Sequence, residues 1–416
     1  MSSHSNSLVK VNGKNYLIPF ILITSLFFLW GFAHSLLDVL NKHFQNVLHV
    51  SKSQSGLVQA AVYGGYFLAA IPAGLFMKKY GFKKGILLGL SFVAVGSLLF
   101  VPATKIQAFW SFLVPLFIIA CGLAGLETAA NPYTTVLGPE EGAERRINLS
   151  QSFNAIGWII GPLVGSAIIL STTKESGDQF SALAIPYLGL AAFVLLVGFF
   201  FFKIKLPEVS GHEDHGHIVE DVHTPLETRS LFSNSHFVLA IVAQFFYVAS
   251  QTGINSFFIN YVTESIPSIS DQKAGYILAF GGMGMFFIGR LSGSFVMGLF
   301  KPNKLLSLYA MINILLMGLV VAGLGWASVV ALFLSYFFMS IMFPTIFALG
   351  IKDLGAQTKR AASFIVMSIV GGAICPMLMG YIADTYNMRI GFIIPLIGFA
   401  VIAYYGIAGY KVKLKS

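Results

Sequence analysis

The chain has 416 residues, of which 56% are hydrophobic and only 10% are charged. Soluble domains run near roughly 45–50% apolar and about 25% charged residues, so this composition excludes a water-soluble fold. The net charge of +9 would suit a nucleic-acid partner, but the basic residues are scattered over short polar segments. Because they form no single stripe, we expect no binding to nucleic acid.

Apolar runs follow one another along the chain, and each is long enough to cross a bilayer as a helix of roughly 20 residues. The first run is too long for the core of a signal peptide and has no small-residue cleavage site, so we expect it to remain as the first helix. The sequence predicts an all-α membrane protein with helices at 16–41, 55–77, 84–103, 108–137, 147–170, 182–202, 236–263, 273–299, 304–324, 328–350, 362–383 and 390–410.

One long polar segment, 203–235, interrupts this series and is rich in Asp and Glu. It predicts a linker between an N-terminal six-helix bundle (1–202) and a C-terminal six-helix bundle (236–416). A weak internal repeat supports two related halves, because Gly157 and Pro162 recur 214 positions later as Gly371 and Pro376. Parallel duplication of this kind is typical of transporters whose halves rock about a central site.

The distribution of Lys and Arg predicts the orientation in the membrane. If the N-terminus is cytoplasmic, the inner loops and the termini hold nineteen of the 26 basic residues and the outer loops hold six. The positive-inside rule then places both termini and the linker in the cytoplasm.

Few ionisable side chains fall inside the predicted helices, where each costs at least about 2.5–3.5 kcal/mol on insertion scales. Asp38 lies late in the first helix and Glu127 lies deep in the fourth. Both are candidates for a functional site, although Asp38 could instead be an interfacial residue near the helix end. Arg290, in the eighth helix, is either a buried cation or an anchor whose charged end reaches the cytoplasmic surface.

Neutral polar side chains also recur at helical spacing on the fifth and seventh helices. Such stripes either bind helices together or line a wet cavity, and amides with aromatic neighbours suit a polyhydroxylated ligand. The two stripes are Gln151 and Asn154, and then Gln244, Tyr247, Gln251 and Asn255.

His34 precedes Asp38 by four residues, so the two side chains could touch on one helix face. A histidine there would tune the acid or relay a proton, or it would simply pack between helices. The linker run from His212 to His217 has three histidines but no fixed geometry, so we expect no metal site. No nucleotide-binding loop, nucleophile motif or zinc signature occurs, so we expect neither an enzyme nor a cofactor.

Several motifs together identify a family. The run Gly125-Leu-Glu-Thr-Ala-Ala-Asn-Pro-Tyr133, the segment Asn148-Leu-Ser-Gln-Ser-Phe-Asn154 and the segment Phe343-Pro-Thr-Ile-Phe-Ala-Leu-Gly-Ile-Lys352 resemble the fucose–galactose–glucose:proton symporter family of the major facilitator superfamily. The resemblance implies the major facilitator fold and covers nearly the whole chain outside the linker.

By this resemblance Glu127 is the proton-carrying carboxylate, Asp38 is the acid on the substrate side, and both take part in coupling. Gln151 and Asn154 align with polar cavity residues, and Asn131 in the first motif is a further candidate for sugar contact. The chain departs from the family pattern at Ser35 and Leu37, where asparagines are expected, and at Asn255, where a tryptophan is expected. It also has Lys78 where many facilitators carry a gating Asp.

The sequence as a whole therefore predicts a multi-pass transporter of the bacterial inner membrane that imports L-fucose or a related hexose with a proton. The substrate residues would be Asp38, Gln151, Asn154, Gln251, Asn255, Tyr247, His34 and Asn131. Sodium coupling, or a glucose, galactose or amino-sugar substrate, stays open as the alternative. A sugar sensor without transport is disfavoured because the linker and tail are short. We expect a monomer.

Overall fold

The structure, a computed structural model, describes residues 9–11, 14–139, 143–170, 181–204, 231–296, 300–354 and 358–412. Within these residues twelve helical spans are long and apolar enough to cross a membrane. The predicted all-α membrane fold with twelve spans is therefore confirmed. A short antiparallel pair, β1 (Lys10–Val11) and β2 (Lys14–Asn15), precedes the first span.

We number the spans α1 to α12, and several of them consist of two or three consecutive helical pieces. The first six are α1 (Leu17–Leu48), α2 (Lys52–Ser55 and Leu57–Tyr80), α3 (Phe82–Leu98 and Phe100–Ile106), α4 (Phe109–Val136), α5 (Ala143–Gly165 and a π-helical end, Ser166–Leu170) and α6 (Ser181–Lys203).

A 3₁₀ turn (Leu231–Ser233) leads into the remaining spans. These are α7 (Ser235–Ser265), α8 (Asp271–Tyr276, the π-helical Ile277–Met283 and Gly284–Val296), α9 (Pro302–Ala322), α10 (Trp326–Met339 and Met342–Gly350), α11 (Thr358–Met367, the 3₁₀ turn Ser368–Val370 and Gly371–Thr385) and α12 (Met388–Gly391, Ile393–Tyr404 and the π-helical Tyr405–Gly409).

The first span is longer than predicted, because it continues past residue 41 to Leu48 and ends at His49 in a left-handed conformation. The polar residues after 40 suggested a helix end at the membrane surface. Instead Asn41 is fully buried and its amide donates to the carbonyl of Ser256 on α7 at 2.5 Å. The predicted end of the eighth helix at 299 and most of the linker, 205–230, lie outside the described residues.

Spans α1 and α5 pack in close contact, and so do α7 and α11. A Cβ atom placed on Gly157 of α5 would lie only 2.5 Å from the carbonyl oxygen of Phe28 on α1. Gly371 of α11 faces the carbonyl oxygen of Phe245 on α7 in the same way. The two glycines related by the sequence repeat thus have equivalent positions, and each lets two helix backbones approach closely.

The two sets of six spans meet toward one end of the molecule. Because the number of spans is even, Leu17 and Gly409 lie at the same end, which we call the terminal end, and the opposite end is the distal end. Hydrogen bonds join Gln45 of α1 to Asn260 of α7 at 2.5 Å and Tyr63 of α2 to Thr252 of α7 at 3.0 Å. These contacts lie between the middle of the spans and the distal end, so the molecule is closed there.

We predict that Gly157→Ala lowers the stability of the folded protein by about 1–3 kcal/mol, because the new methyl group would force α5 away from α1. Gly189→Ala on α6 is a matched control, since a Cβ atom there meets nothing within 4 Å. Helix propensity alone would make that control neutral or stabilising by up to about 1 kcal/mol. Thermal unfolding in detergent measures both variants, and equal effects would contradict the packing argument.

Candidate functional site

A cleft between α1, α4 and α5 contains Glu127 and lies on the terminal side of the middle of the bundle. Its lining consists of Leu26, Phe27, Trp30, Leu126, Glu127, Ala130 and Gln151. Glu127 is half-buried, so its carboxyl group faces this cleft. The predicted pair of Glu127 and Gln151 is therefore brought together, from two spans that are adjacent in sequence.

Aromatic side chains of α1 and α2 form the wall beside this cleft. The indole Nε1 of Trp30 donates a hydrogen bond to the hydroxyl of Tyr66. Tyr66 and Tyr63 lie close enough to Glu127 for an electrostatic interaction between the side chains. Tyr63 is also close enough to interact with Asp38. The hydroxyl group of Tyr63 also forms a hydrogen bond with Thr252 of the other half at 3.0 Å.

Asp38 is buried in the middle of the molecule and is 2% exposed. It lies about three turns before the end of α1, so the structure does not favour an interfacial role. The amide of Gln59 on α2 approaches Oδ1 at 3.4 Å, and Oδ2 is buried without a hydrogen-bond partner among the described residues. A bare charge would be poorly stabilised there, so this closed form favours a carboxyl group that is protonated or bound to a ligand.

His34 is enclosed by aromatic rings rather than paired with Asp38. Its imidazole ring centroid lies 5.2 Å from that of Tyr66, 5.5 Å from that of Trp30 and 6.0 Å from that of Trp158, with which it stacks. Nε2 is buried and has no hydrogen-bond partner among the described residues. The predicted contact between His34 and Asp38 is not seen as a hydrogen bond or ion pair in the described part of the chain.

The two polar residues of the fifth helix have different surroundings. Gln151 lines the cleft with Glu127. Asn154 is 2% exposed, and its Nδ2 donates to the carbonyl oxygen of Phe27 on α1 at 3.0 Å. In this conformation Asn154 therefore joins α5 to α1, which favours the packing alternative for this residue, whereas Gln151 is available to a ligand.

The polar stripe on α7 is mostly buried. Gln244 is fully buried, and neither atom of its amide has a partner among the described residues. Tyr247 donates from its hydroxyl group to the carbonyl oxygen of Met339 at 3.2 Å, and Asn255 is 5% exposed. Gln251 is half-buried. The stripe thus contributes at least one contact between helices, and the side chain of Asn131 lies outside what the structure describes.

Arg290 points toward α10 rather than away from the bundle. Its Nε donates to the carbonyl oxygen of Ser340 at 3.4 Å, and its guanidinium group lies 5.0 Å from the ring centroid of Phe286. Ser340 lies at the break between the two helices of α10, where carbonyl groups lose their helical partners. Arg290 and Tyr247 both donate hydrogen bonds to backbone carbonyl oxygens at this break. The structure therefore favours the hypothesis that Arg290 is a buried cation over the hypothesis that it is a surface anchor.

Sequence reasoning missed five aromatic residues of the site, of which Trp30 lies four residues before His34 on α1. Tyr63 and Tyr66 are three residues apart on α2, and Trp158 follows Asn154 by four residues on the polar face of α5, so helical spacing could have found them. Tyr336 on α10 carries no such signal. Its hydroxyl group is buried without a partner among the described residues and lies within the electrostatic range of Asp38.

No group of three or more His, Cys, Asp or Glu side chains able to hold a metal ion occurs among the described residues. The histidine-rich run of the linker lies outside them. The site therefore consists of two acids, amides and aromatic rings, which can exchange protons and bind hydroxyl groups.

We predict that Asn154→Ala destabilises the protein by about 1–3 kcal/mol, because it removes a buried hydrogen bond between two spans. Gln151→Ala should change the stability by less than about 0.5 kcal/mol, since Gln151 lines an open cleft. Thermal unfolding of the two variants in the same detergent tests this difference. A larger loss for Gln151→Ala would show that the assignment of the two residues is reversed.

Comparisons with known proteins agree with this architecture. A family model described as the Major Facilitator Superfamily matches residues 21–369. The L-fucose-proton symporter of Escherichia coli is 42% identical over 407 residues, which cover 94% of this chain and 92% of that protein. A glucose/galactose transporter of Brucella abortus is 35% identical over 401 residues, which cover 96% of this chain and 95% of that protein.

The crystal structure of FucP, a major facilitator transporter in the outward conformation, is similar to the present structure with a TM-score of 0.65 and 41% sequence identity. The match covers 94% of this chain and 98% of FucP. The agreement of the family model, the relatives and the twelve-span fold leads to one conclusion: the chain belongs to the major facilitator superfamily.

Proposed function

We propose that this chain is a sugar:proton symporter that imports L-fucose or a related hexose by alternating access. The observation that carries the proposal is the cleft in which Glu127 and Gln151 face each other beside Trp30, while Asp38 is sealed off behind it. A carboxyl group in the middle of a membrane bundle is typical of proton carriers. Relatives named L-fucose-proton symporter and glucose/galactose transporter support the substrate class.

The chemistry divides between the two acids. Glu127 takes up a proton, and the neutral acid then avoids the cost of holding a charge during reorientation. Asp38 accepts hydrogen bonds from sugar hydroxyl groups, because its Oδ2 has no protein partner in the described residues. Gln151 adds a donor and an acceptor, and the rings of Trp30 and Trp158 cover the apolar C–H faces of the sugar.

The orientation follows from the positive-inside rule, which supports a terminal end in the cytoplasm. The closed distal end then faces the outside of the bacterial inner membrane, and the structure corresponds to an inward-facing carrier. Rocking of the two bundles, 1–202 and 236–416, about the central site would open the distal end, with 203–235 as the cytoplasmic linker. We expect the monomer in the lipid bilayer to be sufficient.

The identity of the sugar is set by the cavity residues that depart from the family pattern. Leu37 gives the first half an apolar side chain and Asn255 adds an amide from the second half, whereas Ser35 is fully buried and donates to the carbonyl oxygen of Gly157. Uptake of a panel of hexoses into proteoliposomes, under separately imposed proton and sodium gradients, tests both the substrate and the coupling ion. A requirement for sodium without any response to a proton gradient would reject proton coupling.

We predict that Glu127→Gln keeps sugar exchange and abolishes accumulation. Glutamine resembles the protonated acid in size and hydrogen bonding, so the variant behaves as a carrier that has already taken up its proton. It can bind sugar and reorient while loaded, but it cannot release a proton to the cytoplasm. Counterflow of labelled sugar should persist, while uphill uptake and the sugar-induced alkalinisation of the medium should disappear.

The matched control for this experiment is Asp353→Asn, which neutralises an exposed carboxylate outside the membrane spans. It should leave both exchange and coupling intact. Wild-type accumulation and proton movement in Glu127→Gln would show that Glu127 is not the coupling residue, and Asp38 and His34 would then be tested next.

We further predict that Asp38→Ala lowers sugar affinity by roughly 10- to 150-fold. This is the loss in affinity expected when one hydrogen bond to a charged group is removed. The folded protein should keep its thermal stability, because among the described residues the long contact with Gln59 is the one hydrogen bond of the Asp38 side chain. Binding by the purified protein, measured calorimetrically, and the unfolding temperature are compared in one preparation. Unchanged affinity would show that Asp38 does not contact the sugar.

A further inference from the structure

The closed distal end contains a contact between a carboxylate and a helix end. Asp384, near the end of α11, accepts hydrogen bonds from the backbone N–H of Lys52 at 3.0 Å and of Ser53 at 2.9 Å. Each oxygen of the carboxylate takes one of the two bonds. These amides are the first two of α2, so the acid of the second half caps a helix of the first half.

The remaining amides at this helix start are satisfied within the first half. Ser51 accepts from the backbone N–H of Gln54 at 3.1 Å, and the side chain of Gln54 accepts from the N–H of Ser51 at 3.0 Å. This capping box leaves the N–H groups of Lys52 and Ser53 without a partner in their own bundle. They are paired only while the distal end is closed, since Asp384 moves with the other bundle.

Two glycines allow the backbones to approach closely enough for this contact. A Cβ atom on Gly380 would lie 2.5 Å from the carbonyl carbon and oxygen of Lys52, and one on Gly56 would lie 2.8 Å from the backbone nitrogen of Met377. Gly380 is about one turn before Asp384 on the same helix face. The close packing and the carboxylate contact therefore occupy a single interface between α2 and α11.

Ion pairs between the halves surround this contact. The ammonium group of Lys52 lies 2.6 Å from a carboxylate oxygen of Glu264 on α7, and that of Lys42 lies 3.7 Å from Asp271 at the start of α8. Asn46 donates to the other oxygen of Asp271 at 2.6 Å. These side chains are partly exposed, so each pair contributes little alone, and the backbone contact of Asp384 sets the geometry.

We propose that Asp384 is a positioning residue of the transport cycle. By capping α2 it stabilises the closed form of the distal end, which we call the distal gate. It thereby sets the proportion of carriers that are open at the terminal end. The proposal rests on the alternating access proposed above. A negative charge at a helix N-terminus is stabilised both by hydrogen bonds from the free N–H groups and by the helix dipole. Opening the distal end replaces these bonds by water on both partners.

The test measures the gate directly in the full chain, in lipid nanodiscs, without sugar and without an ion gradient. Spin labels are placed on Lys105→Cys and Ser268→Cys, two exposed positions at the distal end of opposite halves, after Cys121→Ser and Cys375→Ser. Pulsed electron spin resonance then gives the distribution of distances between the labels. Asp384→Asn keeps one acceptor oxygen but loses the negative charge and the second hydrogen bond, so we expect it to raise the ratio of distal-open to distal-closed molecules by about threefold to tenfold.

The matched control is Asp353→Asn, which neutralises an exposed carboxylate at the terminal end, where the left-handed backbone tolerates asparagine. It should leave the distance distribution unchanged. The proposal is overturned if Asp384→Asn also leaves the distribution unchanged, or if Asp353→Asn shifts it equally. Asp384→Ala serves as a second neutral variant if the asparagine variant does not fold, and the same two outcomes apply to it.

Gly380→Ala separates the carboxylate from the packing. If both Gly380→Ala and Asp384→Asn open the distal end, the interface acts as described. If only Gly380→Ala does so, packing alone closes the gate and the role of Asp384 is rejected. The labels report a distance and not transport. The measured distances therefore test the role of Asp384 even if the sugar or the proton assignment is wrong. Unchanged distances would reject the role of Asp384 without contradicting the proposed transport.

Discussion

The cost of leaving a polar group unsatisfied in hydrocarbon is the constraint on which the rest of this structure depends. Backbone groups avoid it by forming helices, and the side chains that remain polar must find a partner helix or a cavity. Asn154 bonds to a carbonyl of α1, Tyr247 and Arg290 supply donors to the break in α10, and Glu127 faces a cleft. Each of these polar side chains therefore either bonds to a neighbouring helix or lines a cavity.

The same constraint explains why the two acids differ. Glu127 lines a cleft together with the amide of Gln151 and the indole ring of Trp30. Asp38 lies behind the contact between Tyr63 and Thr252, with one carboxylate oxygen unpartnered among the described residues. Tyr63 is within the electrostatic range of both acids and bonds across the halves.

Close helix packing determines where the halves can move. Gly157 and Gly371 bring α5 close to α1 and α11 close to α7. Gly380 and Gly56 instead bring α11 against α2 across the boundary between the bundles. The close glycine contacts within each half are backbone packing contacts, whereas the contacts at the distal boundary also include hydrogen bonds and ion pairs that water can replace. This difference is what a rocking mechanism requires.

The sequence by itself determined the class of the protein and the twelve spans, because hydropathy acts locally along the chain, and the cost of a buried charge singled out Glu127 and Asp38 as candidates. Helical spacing also found Gln151, Asn154 and the stripe on α7. Only the tertiary structure decided that Asn154 packs while Gln151 lines the cleft, that His34 faces aromatic rings instead of Asp38, and that α1 continues past Asn41. It alone brought Tyr336 near Asp38 and Asp384 to the start of α2. These facts depend on which helices become neighbours, and a one-dimensional pattern shows which face of a helix is polar but not what that face meets.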